Sequence, residues 1–312
     1  MHPRINSLFM AIGLVAIGGV AICEAEERLL VRAKHIYSSQ GIWGDPGEIL
    51  IKDGRISFVG ESIELGLPTE VIEVDSVMPG LVNAYSMAGL SGGNAEVSRE
   101  ITPEFDTLSA VDFDDRRFSE VLDAGVTTVQ ILPGTESVFA GLACIVKTAG
   151  NSSERVLNRQ SGVVLAISSE PTSRNRSRSR PDGIYVRQPT NRMGVVWIVR
   201  NSLHQTRSGK QLLGLDPNTT GVLNELLDGT RAAISVSRTD FDIRSALDLG
   251  DEFGFKPVVY GGDEIYRIFE EFKDREGKLV YTALTASTAA LRGPEERTDL
   301  RWNVPGKLAE EG

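Results

Sequence analysis

The sequence predicts an α/β chain, in which a small N-terminal β-domain leads into a mostly parallel sheet. Three observations predict it. Between residues 28 and 75 the apolar residues come in short β-prone runs broken by turn residues. From Val77 onward, β-prone runs alternate with segments of helical periodicity. The chain has 312 residues, of which 41% are hydrophobic and 24% charged, enough apolar material for one large domain or one large and one small.

In the first segment, Leu29-Leu30-Val31 and Ile49-Leu50-Ile51 are strand-like. Lys52-Asp53-Gly54-Arg55 carries Asp-Gly turn chemistry before Ile56-Ser57-Phe58-Val59 resumes the strand, which predicts a hairpin. The later strand candidates are Val77 to Val82, Val126 to Leu132, Ala143 to Val146, Val163 to Ile167, Ala232 to Val236, Pro257 to Tyr260 and Leu279 to Ala283. Helical spacing is clear in Arg117 to Ala124, which runs into Gly125 as a C-terminal stop. It recurs in Asp242 to Phe253, stopped by Gly254, and in Asp263 to Phe272, with Ile265, Ile268, Phe269 and Phe272 on one face. Such alternation is satisfied by either a barrel or a doubly wound sheet. Residues 170 to 192 interrupt it with a basic, Ser-rich insertion containing Arg174, Arg176, Arg178 and Arg180. A solvated loop is the plain reading; a carboxylate or phosphate clamp, or a partner contact, is the other, because arginine suits bidentate anion binding.

Residues 1–25 read as a signal peptide: His2 and Arg4 open a short basic stretch, Leu8 to Ile22 are apolar, and small residues Cys23 and Ala25 precede a polar run. The expectation is an exported protein, periplasmic or secreted. An uncleaved anchor is the alternative, although the apolar run falls short of the ~20 residues of a membrane span. A lipid-modified Cys23 is poorly supported by Val20-Ala21-Ile22. The domains expected after it are a small β-domain over 26–76 and an α/β domain over 77–312 that includes the insertion. A formal charge of −10 argues against nucleic acid as a partner. Of two cysteines, only Cys144 lies beyond the leader, so no internal disulfide is expected, and its apolar neighbours make it a buried thiol.

Asp53-Gly54-Arg55-Ile56, followed by Val77-Met78-Pro79-Gly80-Leu81-Val82-Asn83-Ala84, resembles the approach to the barrel in the amidohydrolase superfamily. Ile101-Thr102-Pro103-Glu104, Ala124-Gly125-Val126-Thr127-Thr128-Val129-Gln130, Leu132-Pro133-Gly134 and the Arg244 to Gly254 helix resemble its imidazolonepropionase-like branch, over about residues 28 to 310. The Gly-Val-Thr-Thr-Val run alone is a weak signal; the ordered set is strong. The resemblance implies a (β/α)8 TIM-like barrel with a small β-sandwich portion. It also implies that the barrel is incomplete, because the strand carrying the family's acidic metal residue would lie beyond residue 312.

The resemblance further implies a divalent metal centre that activates water for hydrolysis of C–N bonds in cyclic amides or dipeptide-like substrates. The positions where that centre would take imidazoles hold Tyr85, Met87, Ser235 and Gly261. The whole chain has three histidines, His2, His35 and His204, too few for such a centre. Lys147 matches a lysine position of the branch, and without nitrogen-ligated metal it is expected to make an ion pair or anion contact. The reading is therefore a degenerate amidohydrolase with no catalytic residue, no metal ligand and no cofactor, retaining a binding or assembly role. Its candidate pocket is Tyr85, Met87, Lys147, Ser235, Arg238 and Gly261. Possible partners are a small molecule, a second copy or a full-length homologue. The alternative is an active metal-dependent hydrolase that uses oxygen ligands from Asp112, Asp114 and Asp115 or from Asp240 and Asp242; their places before helices suit capping better. No Gly-x-Ser-x-Gly elbow is present, and Ser91-Gly92-Gly93-Asn94 lacks the lysine of a phosphate loop.

Overall fold

The computed structural model describes residues 27–38, 41–66, 69–91, 93–152, 154–172, 188–210, 216–282 and 301–311. The leader and all but the ends of the basic insertion lie outside the described residues. No described helix is long and apolar enough to cross a membrane. The chain divides into two compact units, with the boundary between Pro79 and Gly80.

The first unit is a five-stranded sheet built around β1 (Arg28–Ser38). β1 pairs antiparallel with β2 (Gly41–Gly44) and β3 (Gly47–Lys52), and parallel with β5 (Glu70–Val77). β3 turns back into β4 (Arg55–Gly60) through Asp53 and Gly54, both at positive φ (47° and 72°), as a two-residue hairpin turn that follows the strand twist requires. Ala33, Ile36 and Ile49 form its small core, with Val31, Ile51 and Val74 packed around them.

The second unit is one sheet of seven strands in the order β12-β11-β10-β9-β8-β7-β6: β6 (Leu81–Ser86), β7 (Val126–Ile131), β8 (Phe139–Lys147), β9 (Val156–Ala166), β10 (Ala233–Ser237), β11 (Pro257–Gly261) and β12 (Lys278–Tyr281). The strand expected over Val77 to Val82 is two strands, because Pro79-Gly80 separates the end of β5 from the start of β6. Four pairings are parallel; β8 runs against both neighbours. Chain length explains the reversal. Only Leu132 to Val138 join β7 to β8, and only residues 148 to 155 join β8 to β9, whereas a parallel crossover needs a dozen or more residues. This stretch therefore departs from strict βα alternation.

Both faces of the sheet are covered. On one face Phe139, Leu142, Val163 and Leu165 pack against α2 (Arg192–Arg207), α3 (Pro217–Leu227) and α4 (Asp240–Phe253) through Val199, Leu203, Leu223, Leu226, Leu249 and Phe253. α4 forms where predicted, for local reasons. Thr239 and Asp242 close a capping box at its start, and Gly254 at φ 84° ends it. Asn191 caps α2 by accepting from Gly194 N, and Asp216 caps α3, with Pro217 at the first turn. α1 (Arg117–Asp123) ends at Ala124, followed by Gly125 at φ 83°, as expected. The helix expected over Asp263 to Phe272 is instead a 3-10 turn at Ile265–Arg267 and α5 (Phe269–Asp274), separated by Ile268 in a non-helical conformation (φ −132°). Its apolar residues still face the core: Ile265, Ile268 and Phe272 are buried with Val304 of α6 (Val304–Glu310).

On the other face, side chains from every strand meet. Leu132, Ala140, Ala143, Val164, Ile234, Val236 and Tyr260 form one buried cluster, with Ala84, Tyr85, Val258 and Val280 against it. Tyr85 of β6 and Tyr260 of β11 stack edge-on with ring centroids 6.4 Å apart, and Tyr260 Oη donates to Gln130 Oε1 of β7 at 2.6 Å. Strands near opposite edges of the sheet can touch only if the sheet curls round on itself, so this face is the interior of a nearly closed barrel. Behind β8, Arg155 is buried. Its guanidinium lies 4.2 Å from the Phe118 centroid and donates to the carbonyls of Lys147 (2.9 Å) and Phe113 (2.8 Å), and burial pulls its pKa down. This fastens the β8–β9 hairpin to the start of α1. Tyr260→Phe removes the interior hydrogen bond and leaves a buried acceptor, and should cost about 1–2 kcal/mol in urea unfolding; an unchanged midpoint would show that the cross-barrel bond contributes nothing.

Candidate functional site

In a barrel of parallel strands, groups that act on ligands collect at the strands' C-terminal ends, where the loops converge. A cavity of about 340 Å³ lies there. Tyr85 and Met87 reach it from the end of β6, Leu132 to Glu136 from the segment after β7, Glu170 from beyond β9 and Arg238 from the residue after β10. Asn94 completes the wall. Tyr85, resting on Tyr260, separates the cavity from the packed interior.

Arg238 is the cation among the described lining residues. Its side chain is mostly buried, and its guanidinium Nη1 lies 2.7 Å from Glu170 Oε1. Thr135 Oγ1 donates to the other oxygen of the same carboxylate. The Arg238 backbone is fixed by the next strand: Gly262 N donates to the Ser237 carbonyl (2.9 Å) and Glu264 N to the Arg238 carbonyl (3.0 Å). Gly261 leaves space for the stem. A Cβ there would sit 3.3 Å from Arg238 Cγ and 3.0 Å from Ser237 O, at a φ of +106° that side-chain-bearing residues rarely adopt.

The structure thus brings together Tyr85, Met87, Arg238 and, behind Arg238, Gly261. It does not bring Lys147 or Ser235 to them. Lys147 is exposed and pairs with Thr128 near the start of β7, at the opposite end of the barrel, because β8 is reversed. Ser235 is fully buried on the outer face: its partners in register, Leu165 and Val259, belong to the helix-side clusters, and its hydroxyl bonds Ser237 Oγ at 2.9 Å. Ile234 and Val236 are the inward residues of β10, and Arg238 continues their parity. Sequence reasoning missed Asn94, Thr135, Glu136 and Glu170. Leu132-Pro133-Gly134 marks the approach to two of them, and Glu170 is the first residue of the insertion; nothing local signals their convergence.

A divalent metal of the kind the resemblance implies does not fit these residues. Among the described residues no three His, Cys, Asp or Glu side chains group as a ligand set. His35 pairs with Asp45 at 3.2 Å on β1, and His204 bonds Glu252 at 3.1 Å on the outer face of α2. Four of the five aspartates considered as oxygen ligands, Asp112, Asp115, Asp240 and Asp242, have local partners. Asp112 accepts from Asp114 N and Asp115 from Arg117 N. The Arg117 guanidinium holds the Asp115 carboxyl down at about 2. Asp240 pairs with Arg244. Asp242 caps α4 and bonds Arg192 at 2.9 Å, although burial pushes its pKa up.

No family model matches the chain, and no curated protein matches it. Among solved structures, an amidohydrolase from Thermotoga maritima MSB8 superposes with a TM-score of 0.78 over 91% of this chain and 76% of that one, at 23% identity. This is the amidohydrolase fold. A prolidase matches over 91% of this chain and 72% of its own, at 14% identity and TM-score 0.46. An A. niger ochratoxinase matches over 82% and 65%, at 17% identity and TM-score 0.42. Within this fold Tyr85, Met87, Glu170 and Arg238 line the mouth.

Cys144 takes no part in that mouth. It is buried in β8 beside Val129 and Ile131, and burial pushes its thiol up to about 12. The sign follows directly. With the folded pKa raised, the thiol stays neutral well above the range where an exposed cysteine ionises, and stability falls as pH rises from about 9 toward 12. Native protein at pH 8 should resist iodoacetamide and take up one equivalent at this residue only after unfolding in urea; mass spectrometry of the native sample showing rapid alkylation would contradict the burial.

Proposed function

We propose that this chain is a relative of the amidohydrolase superfamily that has kept the barrel and its mouth as a small-molecule binding site and has lost metal-dependent hydrolysis. One observation carries the reading. The mouth holds an arginine–glutamate pair with Tyr85 and Met87 beside it, a set able to orient an anion or an amide by hydrogen bonds but unsuited to hold zinc. Hydroxide formation at neutral pH needs a strong Lewis acid on the water, and neither Tyr85 nor Met87 supplies a ligand for one.

The cavity at the strand ends supports a small-molecule binding role. The oxygen-ligand alternative loses its support where its aspartates cap helices and pair with arginines. The leader pattern of residues 1–25 supports an exported location for that role.

The test is to express the full chain in medium supplemented with zinc and manganese, then measure bound metal and turnover of a cyclic amide and a dipeptide on the same sample. The expected result is metal far below one equivalent and no turnover. Near-stoichiometric metal with turnover would overturn the proposal.

A further inference from the structure

Within the mouth, the Arg238–Glu170 pair has the form of a ligand contact already made. A planar guanidinium faces a carboxylate at 2.7 Å on the wall of an open cavity, and the carboxylate comes from another segment, the one that follows β9. Arg238 is held along its length. Its backbone carbonyl is tied to the segment after β11, and its stem runs through the space left by Gly261. Glu170 carries one side-chain oxygen on Arg238 and one on Thr135, and its backbone N donates to Ser168 Oγ at 3.3 Å. Next to the pair Tyr85, Met87, Leu132 and Pro133 give the cavity an apolar stretch, and Asn94, Thr135 and a second carboxylate, Glu136, make up the polar part of its wall.

We propose that the mouth binds a small apolar monocarboxylate, whose carboxylate takes Arg238 from Glu170 while its hydrocarbon part lies against Tyr85, Met87 and Leu132. This rests on the reading of the mouth as a binding pocket and names its ligand class. Glu170 then acts as a built-in competitor. A ligand that binds only the state in which Arg238 is released has its affinity reduced by the fraction of chains in that state. The specificity follows from arginine: its fork matches a carboxylate, and a neutral amide of the same shape cannot replace the charge-assisted pair.

The experiment is titration of the full chain with benzoate, followed by calorimetry and by ligand-observed NMR, with benzamide as the uncharged control. Glu170→Gln removes the competitor while keeping the side chain's shape, and should tighten benzoate binding by roughly tenfold. Arg238→Met should abolish it, and Arg238→Lys should leave it weakened. Benzamide should not bind saturably to any form. The inference is overturned if Glu170→Gln binds benzoate no more tightly than the parent, if benzamide binds as well as benzoate, or if Arg238→Met retains binding. Should Arg238→Met fail to unfold cooperatively in urea, the gain in Glu170→Gln decides the matter, since a purely structural ion pair gives no gain. Metal content measured on the same samples separates the two readings. Bound metal with turnover removes the hydrolysis-free reading and leaves the benzoate result standing, whereas metal-free protein that ignores benzoate removes only the ligand class.

Discussion

The barrel sheet stands because both of its faces are buried at once. Phe139, Leu142, Val163 and Leu165 face helices, while Ala140, Ala143, Val164, Ile234, Val236 and Tyr260 face each other across the interior. A strand with two covered faces contributes apolar area twice, at ~25 cal/mol for each Å² removed from water. It also loses the solvent that would otherwise satisfy its backbone, so each strand depends on its neighbours for hydrogen bonds. Curling the sheet is what gives the inner face its cover, and Tyr85, Tyr260 and Gln130 show how the closure is made: two rings in edge contact and one phenol-to-amide bond reach between strands that are not neighbours. Gln130 has partners on both sides, accepting from Tyr260 and donating through Nε2 to Ser161 Oγ at 2.9 Å.

The mouth inherits its shape from this packing. Strand ends that converge around a filled interior leave a shallow cavity above Tyr85, and the residues just past those ends line it. An arginine there must be paired, because a mostly buried guanidinium without a counter-charge is costly. Glu170 supplies that pairing, and Thr135 steadies Glu170. The same pair that stabilises the end of the barrel is therefore also the group a ligand would meet. Stability and recognition share one contact, and the reversed strand β8 keeps Lys147, the other cation considered from sequence, at the far end.

Elements specified by local chemistry were legible. Asp53-Gly54 has the side chains of a tight hairpin, and both residues take the left-handed conformation it needs. Thr239, Asp242 and Gly254 mark both ends of α4. Composition spoke to the imidazole set alone, since three histidines, His2, His35 and His204, are fewer than the four that the implied centre takes. Less legible were features that depend on distant partners. In Ala233-Ile234-Ser235-Val236-Ser237 every residue is buried, so no polar–apolar alternation tells which side chains point inward, and Ser235, a candidate for the pocket, faces the helices instead. The helical spacing from Asp263 to Phe272 described the buried face correctly but not the break at Ile268, which the backbone takes to pack Ile265 and Phe272 against α4 and α6.

By itself, then, the sequence determined the two-part α/β organisation, the hairpin and the helix ends, which depend on residue types within a few positions of one another, and the shortage of imidazoles, which is a matter of counting. Tertiary structure decided the direction of β8, the inward parity of β10 and the meeting of Arg238 with Glu170 and Thr135. These depend on which surfaces the folded sheet buries and which strand ends it brings to one side, and no local pattern of residues encodes either.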